Sequence, residues 1–452
     1  MSTETPAQPS PPTGFDATAL DAVALARTAV IDDLAWRGLV ADSTDLDALR
    51  AAAAAGPLTL YCGFDPTAPS LHMGNLLQIL TVRRFQLAGH RPLALVGGAT
   101  GLIGDPKESG ERTLNDIEVV HAWVERIRGQ LERFFEFEGV PNAAVMVNNY
   151  DWTQGLSTLE FLRDVGKHFS VNRMLDREAV AARLAGAGIS YTEFSYQLLQ
   201  SYDYLQLFRR HGCTLQTGGS DQWGNIVAGV DLIRRVEGAR VHALTTPLVT
   251  KSDGTKFGKT ESGTVWLDPT LTSPYAFFQF WLNTEDVLAG TLLRMFSFRP
   301  HAEIEALELS LRERPQAREA QRALAEELTD LVHGVEERAR VDAAARALFG
   351  QGEVADLDLA TLDAALAEAP HAVVPRAEWD AGLPVADALA RCGLVPSKGA
   401  ARRAIAEGGA YVSNVRVTDE SAVLGAPDLL HGRWVLLRRG RRHIGGIRVD
   451  GV

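Results

Sequence analysis

Tyr61-Cys62-Gly63-Phe64-Asp65-Pro66-Thr67-Ala68-Pro69-Ser70-Leu71-His72-Met73-Gly74-Asn75 is the stretch on which the fold turns. Its lead-in, Leu58 to Tyr61, is apolar and bounded by Gly56-Pro57 and Gly63, which predicts a short buried strand. Asp65-Pro66-Thr67 and Pro69-Ser70 carry turn chemistry. Leu71, Leu76, Leu77, Leu80 and Phe85 then recur at helical spacing, so a helix follows. Strand, loop and helix in that order is how an α/β fold aims helix N-terminal N–H groups at an anion. Gly74 lets a ligand approach the backbone. His72, in the first turn, can donate to a phosphate oxygen or simply cap the helix.

Downstream, Leu93 to Val96 reads as a second buried strand, followed by Gly97-Gly98-Ala99-Thr100-Gly101-Leu102-Ile103-Gly104-Asp105-Pro106. Four glycines in eight residues remove side chains where a ligand must touch backbone. Asp105 either holds an ammonium group or caps a plain glycine-rich turn. Leu114 to Phe137 is expected as a helix and Val145 to Val147 as a strand, so strands and helices alternate as in a parallel sheet. In Tyr191 to Asp203 (YTEFSYQLLQSYD), Tyr196, Gln200 and Asp203 stand at i, i+4 and i+7 and share one helix face. Such a polar stripe is either a solvated face or the wall of a polar pocket. Leu215 to Trp223 (LQTGGSDQW) places Gly218, Gly219, Asp221 and Gln222 in a turn before a helix from Asn225 to Val236. Leu244 to Thr250 is the last expected strand. Lys251 to Thr260 (KSDGTKFGKT) is a basic loop with two glycines, suited to charge that develops on phosphate oxygens or to a solvated surface.

His72-Met73-Gly74-Asn75 resembles the HIGH-type signature of class I aminoacyl-tRNA synthetases, and Lys256-Phe257-Gly258-Lys259-Thr260 resembles the partner KMSKS-type loop. With GGATGLIGDP and GGSDQWGN between them, the set resembles bacterial tyrosyl-tRNA synthetases from about Ala29 to near the C-terminus. Asn75 stands where the signature often has a second His, which leaves a neutral donor in place of a titratable one. The resemblance implies tyrosine activation with Mg²⁺-bound ATP, then transfer to tRNA(Tyr). It implies charge stabilisation by His72, Asn75, Thr67, Lys256, Lys259 and Arg112, the loop after Asp105 being one residue shorter than the usual pattern around its Lys (Lys107 is the nearest). Tyr196, Gln200 and Asp105 would hold the substrate amino group, Tyr61 and Asp203 its phenol, and Gln222 its carboxylate. Gly63, Asp65, Gly74, Gly219, Asp221 and the loop residues Lys256, Phe257, Gly258, Lys259 and Thr260 would meet ATP. A homodimer is also implied. The nearest rival is a tryptophanyl-tRNA synthetase; a rival of another class is a non-catalytic RNA-binding protein that keeps the fold.

The expected architecture is a Rossmann-like α/β catalytic domain at 29–270, an α-helical domain at 271–350 and a linker at 351–382. A small α+β S4-like RNA-binding domain follows at 383–452. Ser273-Pro274 supplies a cap and a first-position proline for the helical part. The chain of 452 residues has a net charge of −12. From Leu383 on, 11 Lys and Arg face 6 Asp and Glu, so the first 382 residues carry −17 and the tail +5. A basic module on an acidic body excludes indiscriminate polyanion binding and directs RNA to the tail. There Lys398, Arg402, Arg403, Arg438, Arg439, Arg441 and Arg442 are the candidate phosphate contacts. Cys62, Cys213 and Cys392 have no metal or disulfide spacing and read as free thiols of a cytoplasmic protein. No tightly bound metal is expected. Residues 1–28 read as an extension, its first part rich in Pro, Ser and Thr without signal-peptide features, and no apolar run reaches membrane-spanning length.

Overall fold

A computed structural model describes residues 27–106, 114–186, 188–255, 257–260, 263–350, 352–440 and 443–450. They form two compact units. Of the described residues, one comprises those up to Leu271 together with Thr284–Leu324; the other comprises Thr272–Asn283 and those from Ala325 onward. The helical segment expected at 271–350 therefore contributes to both.

The first unit is built on a six-stranded sheet: β1 (Asp42–Ser43), β2 (Thr59–Phe64), β3 (Arg91–Val96), β4 (Val145–Asn148), β5 (Cys213–Gly219) and β6 (His242–Thr246). Their spatial order is β1-β6-β5-β2-β3-β4. β2 pairs parallel with both β3 and β5, and only the edge strand β1 runs antiparallel. The strand–loop–helix reading of the opening stretch holds, with the helix at Met73–Leu87. The expected Leu114–Phe137 helix is shorter, Ile117–Leu131. The last strand stops at Thr246 because Pro247 cannot donate to a ladder. Between β2 and β3 the chain makes a helix, as it does between β5 and β6 (Trp223–Glu237), which is the geometry parallel neighbours require.

A buried ionic network joins three segments of this unit. Asp33, on the helix Ala29–Trp36, accepts from Arg37 Nε at 2.9 Å and from His301 Nε2 at 2.7 Å. Arg37 also donates to Ser297 O (2.7 Å) and Arg299 O (3.0 Å). Arg84, on the Met73–Leu87 helix, donates to the same Ser297 oxygen at 2.5 Å. Ser297 is the C-cap of the helix Asp286–Phe296, its N–H donating to Leu293 O. Burial pushes the Asp33 carboxyl up, but the charges of Arg37 and Arg84 and the bonds from His301 and Arg37 pull it below its ordinary value.

In the second unit, Ser273 Oγ accepts the Ala276 N–H and Pro274 opens the helix Pro274–Leu282, as the sequence implied. Residues 351–382 are not a bare linker. They hold the helix Leu359–Glu368 and the strand His371–Pro375, which pairs parallel with His443–Asp450. Pro370 precedes and Pro375 ends this edge strand, one of the few sheet positions that tolerate proline. The five-stranded sheet runs Val415–Arg416, Ala410–Val412, Trp434–Arg439, His443–Asp450, His371–Pro375. The helices Val385–Arg391 and Lys398–Ala406 cover a core that includes Leu389, Ile405, Leu437 and Ile447.

Arg37→Ala is expected to cost about 3–5 kcal/mol, because it strips a buried carboxylate of its main partner. The measurement is a shift of the unfolding midpoint at neutral pH. Since the Asp33 value is depressed in the fold, this stabilisation is complete above the ordinary carboxylate range and fades as pH falls through the folded value. A midpoint unmoved by the substitution would show that the network contributes nothing.

Candidate active site

β2 and β5 are adjacent, yet the chain leaves β2 towards β3 and β4 before returning on the other side to β5. The carboxyl ends of such a pair open a crevice. Gly63 is exposed there although it lies in a central strand. A Cβ on it would make only an ordinary contact with Leu95, 3.6 Å away, so the packing itself does not demand glycine. The run after β3 differs. A Cβ on Gly97 would fall 1.9 Å from Asp65 Oδ1, one on Gly98 2.4 Å from Asn148 Oδ1, and one on Gly101 2.6 Å from Pro66 Cγ. Those glycines admit the protein's own groups, which corrects the expectation that they clear space for a ligand. Gly104, at φ 79°, makes the left-handed turn that delivers Asp105.

The polar stripe on the helix Tyr191–His211 faces inward. Asp203 is 2% exposed and receives Trp152 Nε1 at 2.8 Å on one oxygen and Asn149 Nδ2 at 2.9 Å on the other. Asn149 also donates to Thr100 Oγ1 (2.9 Å), Thr100 donates to Asp65 Oδ1 (2.6 Å), and Tyr196 Oη donates to Asp65 Oδ2 (2.6 Å). Burial pushes the Asp203 carboxyl up to about 7 against the two hydrogen bonds, and the charge of Asp65 adds to the rise. The Tyr61 hydroxyl is buried with no hydrogen-bond partner among the described residues. Burial, then the charge of Asp203, raises its pKa well above the ordinary phenol value. Gln200 Oε1 is likewise buried and unpaired. Orphaned buried polar atoms of this kind ask for a ligand.

On the other side of the crevice, Asp105 accepts from Gln222 Nε2 at 2.8 Å and from Asn225 Nδ2 at 3.2 Å. Asp221 is exposed, and a Cβ on Gly219 would lie 2.5 Å from its Oδ1. Thr67 is also exposed, in the loop after β2.

The helix after that loop is closed by a reciprocal cap. His72 Nδ1 accepts the Gly74 N–H at 3.1 Å, and Asn75 Oδ1 accepts the His72 N–H at 3.0 Å. With Nδ1 an acceptor, the neutral imidazole carries its proton on Nε2, and Asn75 keeps its NH₂ as donor. The Val265–Leu267 segment lies along this start: Leu267 N–H donates to Leu71 O at 2.9 Å and Met73 N–H to Val265 O at 3.3 Å. Gly258, at φ 86°, comes so close that a Cβ would sit 2.6 Å from Met73 Cβ. Phe257 packs towards Phe296 with ring centroids 6.4 Å apart. Lys107, Arg112, Lys256 and the side chains of Lys259 and Thr260 lie outside the described residues.

The family described as "tRNA synthetases class I (W and Y)" matches residues 53–350, and a "Tyrosine–tRNA ligase SYY-like C-terminal domain" matches residues 366–444. The tyrosine–tRNA ligases of Streptomyces avermitilis and Streptomyces coelicolor are 65% and 64% identical, each over 94% of this chain and 100% of their own length. The chain belongs to the tyrosine–tRNA ligase family of class I synthetases. A C-terminally truncated mitochondrial tyrosyl-tRNA synthetase from Aspergillus nidulans superposes with a TM-score of 0.64 at 31% identity, covering 71% of this chain and 94% of that one. A tryptophanyl-tRNA synthetase from Encephalitozoon cuniculi shares the fold at 13% identity and a TM-score of 0.51, so fold alone does not separate the two kinds of synthetase.

In the tyrosine–tRNA ligase C-terminal module, Arg402 and Arg403 are exposed on the helix Lys398–Ala406. Lys398 pairs with Asp387 at 2.6 Å, and exposed Arg439 reaches Leu394 O at 3.3 Å. Arg438 corrects the sequence reading: it is 8% exposed, with its guanidinium stacked over Tyr411 at 4.2 Å, so it is a packing group rather than a surface phosphate contact. Arg441 and Arg442 lie outside the described residues. Asn149 and Trp152, which hold both oxygens of Asp203, went unassigned in the sequence, although a polar pair at the carboxyl end of a strand is a usable signal. Among the described residues no His, Cys, Asp and Glu cluster could hold a metal, and no helix is long and apolar enough to cross a membrane.

Proposed function

We propose that the chain ligates tyrosine to its tRNA through the residues gathered at this crevice. The observation that carries the reading is the unpaired, buried Tyr61 hydroxyl beside Asp203. A substrate phenol completes that pair, whereas an indole or a bare phenyl ring leaves buried polar groups unsatisfied, at about 1–3 kcal/mol each. Asp105, Tyr196 and Gln200 take the substrate ammonium, with Asp65 supporting Tyr196, and Gln222 takes the carboxylate.

In the first step a tyrosine carboxylate oxygen attacks the α-phosphorus of ATP. The bond from that phosphorus to the β-phosphate oxygen breaks, giving tyrosyl-adenylate and pyrophosphate, which leaves with the Mg²⁺ that entered with ATP. The attacking carboxylate is already ionised, so no residue has to act as base. Rate comes from positioning and from donors aimed at the phosphates: His72 Nε2, Asn75, Thr67, Arg112, and Lys256 and Lys259 of the loop. Gly63, Gly74 and Gly219 allow the nucleotide against the backbone, Asp65 borders it, Asp221 meets its ribose, and Phe257, Gly258 and Thr260 complete the loop that closes on it. In the second step a terminal ribose hydroxyl of tRNA(Tyr) attacks the tyrosyl carbonyl and AMP leaves. Lys398, Arg402, Arg403, Arg439, Arg441 and Arg442 of an S4-like module contact the RNA backbone, and the reaction takes place in the cytoplasm.

A second copy of the chain completes the enzyme. The exposed apolar run Leu159 (80% exposed), Leu162, Val171 and Leu175, between β4 and the Tyr191–His211 helix, supports a homodimer. Sedimentation is expected to give twice the chain mass, with Leu159→Asp shifting it towards monomer; a wild-type monomer at micromolar concentration would remove this part of the reading.

Amino-acid-dependent ATP–pyrophosphate exchange tests the activity. Exchange with tyrosine and not with tryptophan or phenylalanine is expected. Lys256→Ala and Lys259→Ala should each lower its kcat by more than tenfold with little change in tyrosine affinity. A large loss of tyrosine binding in the lysine variants would refute their assigned roles.

The Asp203 value of about 7 sets a pH dependence. The ionised carboxylate accepts the substrate hydroxyl, and the acid form predominates below about 7. The KM for tyrosine should therefore be about tenfold higher at pH 6 than at pH 8. A KM flat across that range would show that Asp203 does not titrate in the site.

A further inference from the structure

Arg177 lies on no signature motif, at the start of the short helix Glu178–Ala185. Its Nη1 donates to Asn225 Oδ1 at 2.6 Å. The guanidinium lies across Gly224, where a Cβ would meet Nε at 2.8 Å, Nη2 at 2.9 Å and Cζ at 3.2 Å. Glycine at 224 therefore holds the space that Arg177 occupies. Burial opposes its charge and the Asp105 carboxylate favours it. The helix is braced as well: Arg183 pairs with Glu193 at 2.9 Å, the two side chains 3% and 2% exposed. Glu193 opens the helix that bears Tyr196, Gln200 and Asp203.

Asn225 is buried, and its Nδ2 donates both to Asp105 Oδ1 (3.2 Å) and to Gln222 Oε1 (3.0 Å). Gln222 Nε2 in turn donates to Asp105 Oδ2 at 2.8 Å. A carboxamide has a donor end and an acceptor end, and something must decide which faces where. An arginine has donors only. Facing Arg177, Asn225 must present its oxygen there and its nitrogen to Asp105 and Gln222. Gln222 must then turn its oxygen to Asn225 and its nitrogen to Asp105. A flipped Asn225 would aim its carbonyl oxygen at a carboxylate.

We propose that Arg177 is a positioning residue of the amino-acid site. It fixes the sense of Asn225 and Gln222 and thereby the aim of Asp105 at the substrate ammonium. This rests on the reading above that Asp105 receives that ammonium.

The test separates the ammonium from the rest of the substrate. Tyramine carries the phenol and the ammonium but no carboxylate; p-cresol carries the phenol alone, without either of the groups that Asp105 and Gln222 take. Both are measured as competitors of tyrosine in exchange. Arg177→Gln is expected to weaken tyramine roughly tenfold, while p-cresol changes less than about twofold and the KM for ATP stays put. Arg177→Lys, again a donor without an acceptor, should restore most of the loss. Gly224→Ala, which displaces the guanidinium without removing it, should reproduce the selective loss and serves if Arg177→Gln does not fold. Equal weakening of both competitors would mean a structural role only and overturn the proposal. Unchanged tyramine inhibition in the Arg177 and Gly224 variants, with a loss in Asp105→Asn, would overturn the role of Arg177 alone. Unchanged tyramine inhibition in Asp105→Asn would overturn the reading of Asp105 itself.

Discussion

A central strand with a parallel neighbour on each side, the second reached only after the chain has left for the first, fixes the place of everything else in the first unit. β2 has β3 on one side and β5 on the other, and the chain reaches them by separate helical connections. Right-handed crossovers on opposite sides cannot both cover the carboxyl ends of β2 and β5, so a crevice stays open there. Gly63 is exposed in mid-sheet for this reason, and Asp65, Thr67 and the His72 cap follow it around the rim. The return strand β5 brings Gly218 and Gly219 to the same edge and sends Asp221 and Gln222 into the next turn and Asn225 into the start of the helix after it.

Within that crevice the recurring device is control over which end of an ambivalent group faces the ligand. His72 and Asn75 turn their acceptors to the backbone and their donor ends away from it. Asn149 has its oxygen on the Ala99 N–H at 2.7 Å, which turns its nitrogen to Asp203 and Thr100. Asn225 is turned by Arg177. In each case a donor or acceptor of fixed kind, a backbone amide or a guanidinium, sits at one end. Buried polar networks are costly when partly satisfied, and such fixed ends leave each amide a single favourable orientation. Two of the buried polar atoms without a partner among the described residues, the Tyr61 hydroxyl and Gln200 Oε1, lie beside Asp203, the first under its charge and the second on its helix.

Local signals were legible in the sequence where a short stretch determines its own structure. The strand, turn and helix around Tyr61 to Phe85 came from apolar periodicity and turn residues, and the Ser273-Pro274 start from capping chemistry. That Tyr196, Gln200 and Asp203 share one face followed from spacing alone, because helical geometry fixes which side chains align, but spacing left open whether that face met solvent or a pocket. What stayed hidden depends on partners distant in the chain. The glycines after β3 admit Asp65, Asn148 and Pro66, and no local pattern distinguishes that from room for a ligand. Pro370 and Pro375 look the same beside an edge strand as in a linker; only the partner strand some seventy residues on decides. Arg438 carries the same charge as its neighbour Arg439, but it stands directly across from Tyr411 on the adjoining strand and lies over that ring.

The two signature segments are also joined by backbone rather than merely brought near. Leu71 and Met73 exchange hydrogen bonds with Leu267 and Val265, and Gly258 rests against Met73 with no room for a side chain. Farther back, Arg84 ties the other end of the His72 helix to Ser297, at the end of the helix whose Phe296 faces Phe257. Both ends of the signature helix are thus linked to the segment that carries the loop lysines. Transition-state charge on a phosphate is best met by donors whose positions are set before the reaction, since reorganisation during the step would consume the stabilisation they provide. In the proposed reaction, holding the stem of the loop to the helix that presents His72 and Asn75 keeps one frame for both sets of donors.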